Sequence, residues 1–455
     1  TLDADTQLPR EMAKKLIGIM GHPLNRPVLN EAATLVVDGY GIVQPRIGVS
    51  VESATSSFFA LKFSGQVGID PYTTAVSDVY QDLFKEGIFT GKGIYDVDIF
   101  TKVLDGAIPE NAVLSHDLLE GCYIRAGLAT DLEFIDGYPS HYIAYAMRQH
   151  RWTRGDWQLL PWLGKKNPLS SISKWKIADN MRRSLISPVL LLILILSSLN
   201  ILVGSKWWIG LSLATIIYPF ILDMVGCLIG YYRRWRRHIR VTEVFAEVGS
   251  TIWQTFLALV FVAYQGYLMA DAILRTIVRV FFTHKNMLEW VTAADTERKF
   301  TGSFGDFRVK MLPGIVIGVF EILATLSIPS SYTALGLGLG VIWICSPWIA
   351  YLISRPRKTV EHNLSDSDMQ TLRLIARKTW KYFEDFVTED DNWLPPDNYQ
   401  AEPPTGVAHR TSPTNIGLLL MSNLVAKDLG YIGVLEFVER TEKTINTLMN
   451  MEKWQ

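Results

Sequence analysis

Residues 115–158 read SHDLLEGCYIRAGLATDLEFIDGYPSHYIAYAMRQHRWTRGDWQ, and long apolar runs begin about thirty residues later. SHDLLEGCYIRAGL (115–128) and SHYIAYAMRQHRW (140–152) place their apolar residues three and four apart. That spacing predicts two helices, parted by the IDGYPS turn. Asp117 stands at the start of the first helix, behind Ser115 and His116. A carboxylate there complements the helix dipole, and it could equally act as a general base that His116 orients. Arg148, Arg151, Trp152, Arg154 and Trp157 crowd into ten residues. Arginine grips phosphate through paired hydrogen bonds, and tryptophan offers a flat apolar face; a juxtamembrane Arg/Trp belt has the same composition.

Upstream, VVDGYGIVQPRIGV (36–49) alternates apolar residues between Gly and Pro, as a strand does. FTGKGIYDVDIF (89–100) carries Gly91-Lys92-Gly93, a turn where backbone could approach a ligand closely. In TLDADT (1–6), Asp3 and Asp5 are two apart and in an extended segment point the same way. Two such oxygen ligands suit Mg²⁺ or Mn²⁺, which would take its other ligands from a substrate diphosphate and stabilise that leaving group. A solvated turn would look the same. Strands mixed with helices predict an α/β domain over residues 1–164. The chain opens inside a motif, so we expect the first half of that domain to precede it.

A membrane module is expected over 165–360, with spans at about 185–203, 207–229, 312–328 and 332–353. Basic clusters flank them: KWK (174–176), RRWRRHIR (233–240), Arg308 with Lys310, and RPRK (355–358). By the positive-inside rule the ends of both hairpins are cytoplasmic. WQTFLALVFVAYQ (253–265) is a shorter apolar core, followed by Asp271, Arg275 and Arg279 on one helical face. We therefore expect an interfacial amphipathic helix at about 252–282, and a smaller one at 173–184. Asp223 and Glu321 are acids inside candidate spans, and thus functional candidates or satisfied structural partners.

Residues 361–455 return to soluble composition. TLRLIARKTWKYFEDFV (371–387) and NIGLLLMSNLVAKDL (415–429) are amphipathic, joined by the Pro-rich loop DNWLPPDNYQAEPPTGVAHRTSPT (391–414). Loops this long usually bind something. Trp393 and Tyr399 offer stacking faces, and Asp397, His409 and Arg410 offer hydrogen-bonding partners. The 44 basic and 45 acidic residues leave no footprint for nucleic acid, and three scattered cysteines (Cys122, Cys227, Cys345) suit neither a disulfide framework nor a zinc site.

TLDADTQLP (1–9), GIDPYTTAVSDVYQDLF (68–84), FTGKGIYDV (89–97), LSHDLLEG (114–121), RWTRGDWQ (151–158), LPPDNYQ (394–400) and AHRTSPTNIGL (408–418) resemble the bacterial cyclic β-1,2-glucan synthases. The resemblance covers most of the chain. It implies a multi-pass inner-membrane protein with cytoplasmic soluble domains. A family-2-like, GT-A-like glycosyltransferase domain would be followed by an α-helical membrane bundle and then the start of a glycoamylase-like (α/α) barrel. It implies UDP-glucose as donor, a growing glucan as acceptor, and inverting transfer. Asp3 and Asp5 then match the metal and uridine-diphosphate motif, Asp117 the base, and Arg151-Trp152 the end of a Gln-x-x-Arg-Trp motif. Gly91, Lys92, Gly93 and His116 join the donor and acceptor site. Arg148 stands where that motif has glutamine. The catalytic acid of the glycoamylase-like domain would lie beyond Gln455. Two other readings stay open: a linear polymerase of the cellulose or hyaluronan type, and a non-enzymatic transporter or glycan-binding scaffold.

Overall fold

The computed structural model describes residues 1–3, 6–64, 79–164, 166–235, 242–289, 302–357 and 364–452, with backbone alone at 223, 227–235 and 242–248. Asp5, the GIDPYTTAVSD stretch (68–78) and the side chains of Asp223 and Cys227 lie outside the described residues. The chain forms two units, Thr1–Lys358 and Thr359–Gln455.

The first unit is built on a three-stranded sheet. Two short strands, β1 (Val28–Leu29) and β2 (Val36–Asp38), pair with each other ahead of it. The sheet has β3 (Ile42–Val49) at its centre, antiparallel to β4 (Ile94–Tyr95) on one side and parallel to β5 (Ala126–Asp136) on the other. Register slips beside Pro45, where Pro45 faces Ala129 but Arg46 faces Glu133. Proline has no N–H for the ladder, so a bulge at that point relieves the mismatch. Ile42, Leu119, Ile124 and Ala126 are buried in one core beside the sheet, and Val43, Leu132 and Phe134 in another.

One expectation is corrected here. The helix begun by Ser-His-Asp spans only Asp117–Ile124, and Arg125 turns the chain at φ 55° into β5. The expected helix ran on through Leu128, yet Gly127 belongs to the sheet. A Cβ on Gly127 would lie 2.8 Å from the Tyr40 ring, so the small residues allow that ring to cover the strand. The second expected helix is present and longer, Tyr142–Gln158, its first turn capped by the His141 side chain accepting from Ala144 N at 3.1 Å.

Among the described residues four helices are long and apolar enough to cross a membrane: Ser171–Ser198, Ser205–Gly226, Gly249–Thr283 and Thr333–Ile353. Phe304–Lys310 and Leu312–Ser327 meet at 65° and together form a fifth candidate. The set differs from the expected four. Leu312–Ser327 has 16 residues, about 24 Å at 1.5 Å per residue, short of a ~30 Å hydrocarbon core. Ser171–Ser198 is unbroken, so the stretches expected as an interfacial helix and a span form one rod. Its first turns pack against the N-terminal part of the chain, where buried Lys176 donates to Glu86 Oε1 and to Gly87 O, each at 2.9 Å.

The Thr242–Val278 helix, with the π-turn Arg279–Thr283 after it, meets the N-terminal region at both ends. Lys62 Nζ lies 3.3 Å from Ser250 Oγ, and Phe58 packs edge-on against Trp253 at 5.3 Å. Farther on, His150 Nε2 bonds Asp271 Oδ2 at 3.0 Å, and Gln158 Nε2 donates to Met287 O at 2.9 Å. Its middle packs on the other candidate spans through Val262, Ala263, Leu191, Leu194 and Trp343. Glu321 is fully buried and accepts from Ser198 Oγ, while Ser330 Oγ donates to Ser198 O at 2.8 Å. That supplies a donor to one oxygen, Oε1, of an acid placed among apolar helices.

Among the described residues the second unit holds three α-helices, Asp366–Phe386, Pro413–Asp428 and Val434–Asn450, around Trp380, Phe383, Leu419, Ala426 and Ile432. A capping box of Ser365 and Asp368 starts the first. The Pro-rich loop folds into a small hairpin, β6 (Tyr399–Gln400) with β7 (Gly406–Val407).

Candidate active site

The site is assembled where β5 ends. The N-terminal segment is stitched to the fold at two places: Gly93 N donates to Thr1 O at 3.1 Å, and Gln7 pairs with Ile135 through N–H···O bonds of 2.7 and 3.2 Å. Asp3 thereby lies beside the Gly-Lys-Gly turn. Lys92 is the hub. Its ammonium is buried and sits 3.0 Å from Asp3 Oδ2 and 2.7 Å from Asp136 Oδ2, while Thr6 Oγ1 donates to the other Asp136 oxygen at 2.6 Å. Burial, the largest single influence, pulls the Lys92 pKa down, but its bonds to Asp136 and Asp3 outweigh it and the net shift is upward. The ammonium stays charged.

The turn itself is held by Gln44, a buried side chain on the central strand. Its Oε1 accepts from Thr90 N at 2.6 Å and Thr90 Oγ1 at 3.0 Å. Gly91 has φ 93°, and a Cβ there would stand 2.9 Å from Asp117 Oδ1. Glycine is required on both counts, conformation and space. The Asp117 carboxylate thus lies against the Gly91 backbone, with Ser115 Oγ 3.4 Å from its Oδ2. Burial raises its pKa above the usual carboxylate range, opposed by His116 and reinforced by Glu120 and Asp3. His116 Nδ1 bonds Glu120 Oε1 at 2.6 Å, and that bond raises the imidazole's pKa against the effect of burial.

The Tyr142–Gln158 helix backs this segment. Gln158 Oε1 accepts from Leu114 N at 2.6 Å, and a Cβ on Gly155 would come within 2.6 Å of the Ser115 Cβ. Arg151, Gly155 and Gln158 are spaced i, i+4, i+7 and share a helix face. Trp152 lies under the Arg148 guanidinium at 4.9 Å, and the same guanidinium stands 5.3 Å from the Tyr138 ring. Arg148 is therefore held between two aromatic side chains.

Of the residues expected from sequence, Asp3, Gly91, Lys92, Gly93, His116 and Asp117 come together. Arg151 and Trp152 sit on the supporting helix, and Asp5 lies outside the described residues. In the second unit, Asp397 joins Arg410 at 3.0 Å, and His409 pairs with Asp391 at 2.8 Å. One face of Tyr399 stacks on Phe386 at 5.0 Å, and Lys443 Nζ lies 4.0 Å from the Trp393 ring centre. Part of each stacking surface is thus already used. Sequence reading missed Gln44, Asp136, Glu120, Gly155 and Gln158. Glu120 alone had a local signal, four residues from His116.

For a hard divalent cation, Asp3 fits. Its carboxylate is 61% exposed, and among the described residues Lys92 engages Oδ2, which leaves the other oxygen for a partly hydrated ion. His116, Asp117 and Glu120 also bring donor atoms within 4.8 Å of one another, but Glu120 already occupies the imidazole Nδ1.

No family model matches the chain. In an alignment of 460 positions that covers the whole chain, it is 40% identical to the cyclic beta-(1,2)-glucan synthase NdvB of Rhizobium meliloti (strain 1021). The chain is similar, end to end, to one segment of a cyclic glucan synthase. That segment is 16% of the relative's length. The resemblance drawn from seven short motifs thus extends through the whole chain.

Proposed function

We propose that the chain belongs to an inverting β-glucan synthase that polymerises glucose from UDP-glucose. The observation that carries this is the meeting of Asp3, Lys92, Asp136 and Asp117 at one end of a sheet, on a chain similar throughout to a glucan synthase segment. In this reading residues 1–164 are the C-terminal half of a GT-A-like domain, 165–360 the membrane module and 361–455 the start of a glycoamylase-like barrel that later closes the glucan into a ring. The protein resides in a bacterial inner membrane with its soluble parts in the cytoplasm.

Asp3, with Asp5, would hold Mg²⁺ or Mn²⁺, which when bound neutralises the donor diphosphate. Lys92 adds a fixed positive charge beside it. Asp117 takes the proton of an acceptor hydroxyl as that oxygen attacks the anomeric carbon from the face opposite UDP. The carbon–oxygen bond to phosphate breaks, UDP departs with the electron pair, and the anomeric configuration inverts. Arg151 and Trp152 line the cleft from the helix behind Ser115.

The Thr242–Val278 helix is read as lying along the boundary between the domain and the spans. A helix crossing a ~30 Å core would deliver its ends to opposite faces, yet both ends here touch the same N-terminal region. Membranes carrying the intact protein, incubated with labelled UDP-glucose, test the reading. Cyclic β-1,2-glucan supports it, linear chains favour an extruding polymerase, and absence of any glucan rejects it.

A further inference from the structure

Glu120 has no part in the mechanism above, and its environment is unusual for a carboxylate. It is 8% exposed in the first turn of the Asp117–Ile124 helix. It borders a cavity of about 270 Å³ whose walls include Phe100, Leu104, Ile108, Val113 and Leu288. A carboxylate drawn out of water into such surroundings is costly unless it is paired. Among the described residues its ion-pair partner is His116, at 2.6 Å through Nδ1. A first-turn glutamate can serve the helix dipole from solvent, so the dipole does not require this burial.

His116 borders the same cavity, and its side chain is half exposed. With Nδ1 committed to Glu120, Nε2 is the one ring atom left for a further partner. Asp117 is the next residue. Resting on the assignment of Asp117 as base, we propose that Glu120 is a positioning residue for sugar transfer. It fixes the His116 imidazole beside Asp117 so that Nε2 meets a hydroxyl of the acceptor sugar. The logic is that of a carboxylate holding a histidine in one tautomer and orientation, here applied to acceptor alignment.

The test is a double-mutant cycle in the intact synthase, measuring glucan elongation against UDP-glucose concentration. Glu120→Gln should lower kcat about tenfold and leave the KM for UDP-glucose unchanged, because alignment of the acceptor acts in the transition state. Added to His116→Ala, it should cost less than about twofold more, since the two act as one unit. Equal factors in both backgrounds, or undiminished kcat in Glu120→Gln, overturn the proposal. Should Glu120→Gln not accumulate in membranes, Glu120→Asp retains the charge but shortens the reach to His116, and the same cycle is read from it. Asp117→Asn is assayed alongside. Full activity there removes the base assignment itself, whereas an inactive Asp117→Asn with an additive Glu120–His116 cycle removes only the role of Glu120.

Discussion

Asp117 and Lys92 show how much a single side chain's setting contributes beyond its identity. Burial raises the pKa of the Asp117 carboxyl, and the base proposed there works only when ionised. Elongation should therefore fall as pH drops through a midpoint above the ordinary carboxylate range, and rate–pH profiles of the intact protein will show where. Asp117→Asn should lower elongation by about a hundredfold or more while UDP-glucose still binds, measured by initial rates and by equilibrium binding of the donor. Asp3 and Asp117 could be singled out in the sequence, because each stands in a short local motif. Lys92 was legible only as part of a turn. Its bridging of Asp3 and Asp136 joins residues 92, 3 and 136, and no local pattern marks such a meeting. Gln44 was invisible for the same reason: its partner Thr90 lies 46 positions away.

Among the elements, the Tyr142–Gln158 helix has the most consequences. Gly155→Val should push the Ser-His-Asp segment off its seat, since a Cβ alone would already stand 2.6 Å from Ser115. Elongation should drop at least about tenfold with the protein still membrane-bound, checked by activity per unit of protein. Where this helix meets Ser171–Ser198, desolvation pushes Asp156 up to about 7, moderated by Asn180 and Arg183. The folded state then keeps a proton that the unfolded chain, with an ordinary aspartate, releases near pH 4. Between those values the native state binds more protons, so this group's contribution to stability declines as pH rises from about 4 to 7. Asp156→Asn should flatten that dependence and raise the unfolding temperature at pH 8, as thermal unfolding in detergent would show. The helix was plain from its periodicity. Strand β5 was not, because AGLATDLEFID begins with small residues that suit neither template and gain their strand conformation from packing under Tyr40.

At the scale of the whole molecule, two outcomes distinguish the arrangement proposed. Asn286 follows the helix whose two ends touch the N-terminal region, and it should be labelled from the cytoplasmic side only. A cysteine placed there and treated with an impermeant reagent in intact cells decides this; labelling from outside means that Gly249–Thr283 crosses. Removing residues 359–455 together with the rest of the proposed glycoamylase-like domain should leave polymerisation and replace rings with linear chains. Release of rings by that deletion places cyclisation elsewhere.

The continuous helix Ser171–Ser198 would also tie the proposed reaction to the lipid around it. Its first turns are locked by the buried ammonium of Lys176 against Glu86 and Gly87, and its later turns lie among the candidate spans. From Lys176 to Leu185, where the apolar run begins, is nine residues, about 13 Å of rigid rod. In a bilayer that length would set how high the proposed sugar-transfer site rides above the lipid. A thicker or thinner membrane changes the tilt of such a rod. Pro188, three residues into the apolar run, is where a kink can take up part of that tilt. What it does not take up passes to the sheet bearing Lys92 and Asp136, which would make membrane thickness a mechanical input to the proposed sugar-transfer site.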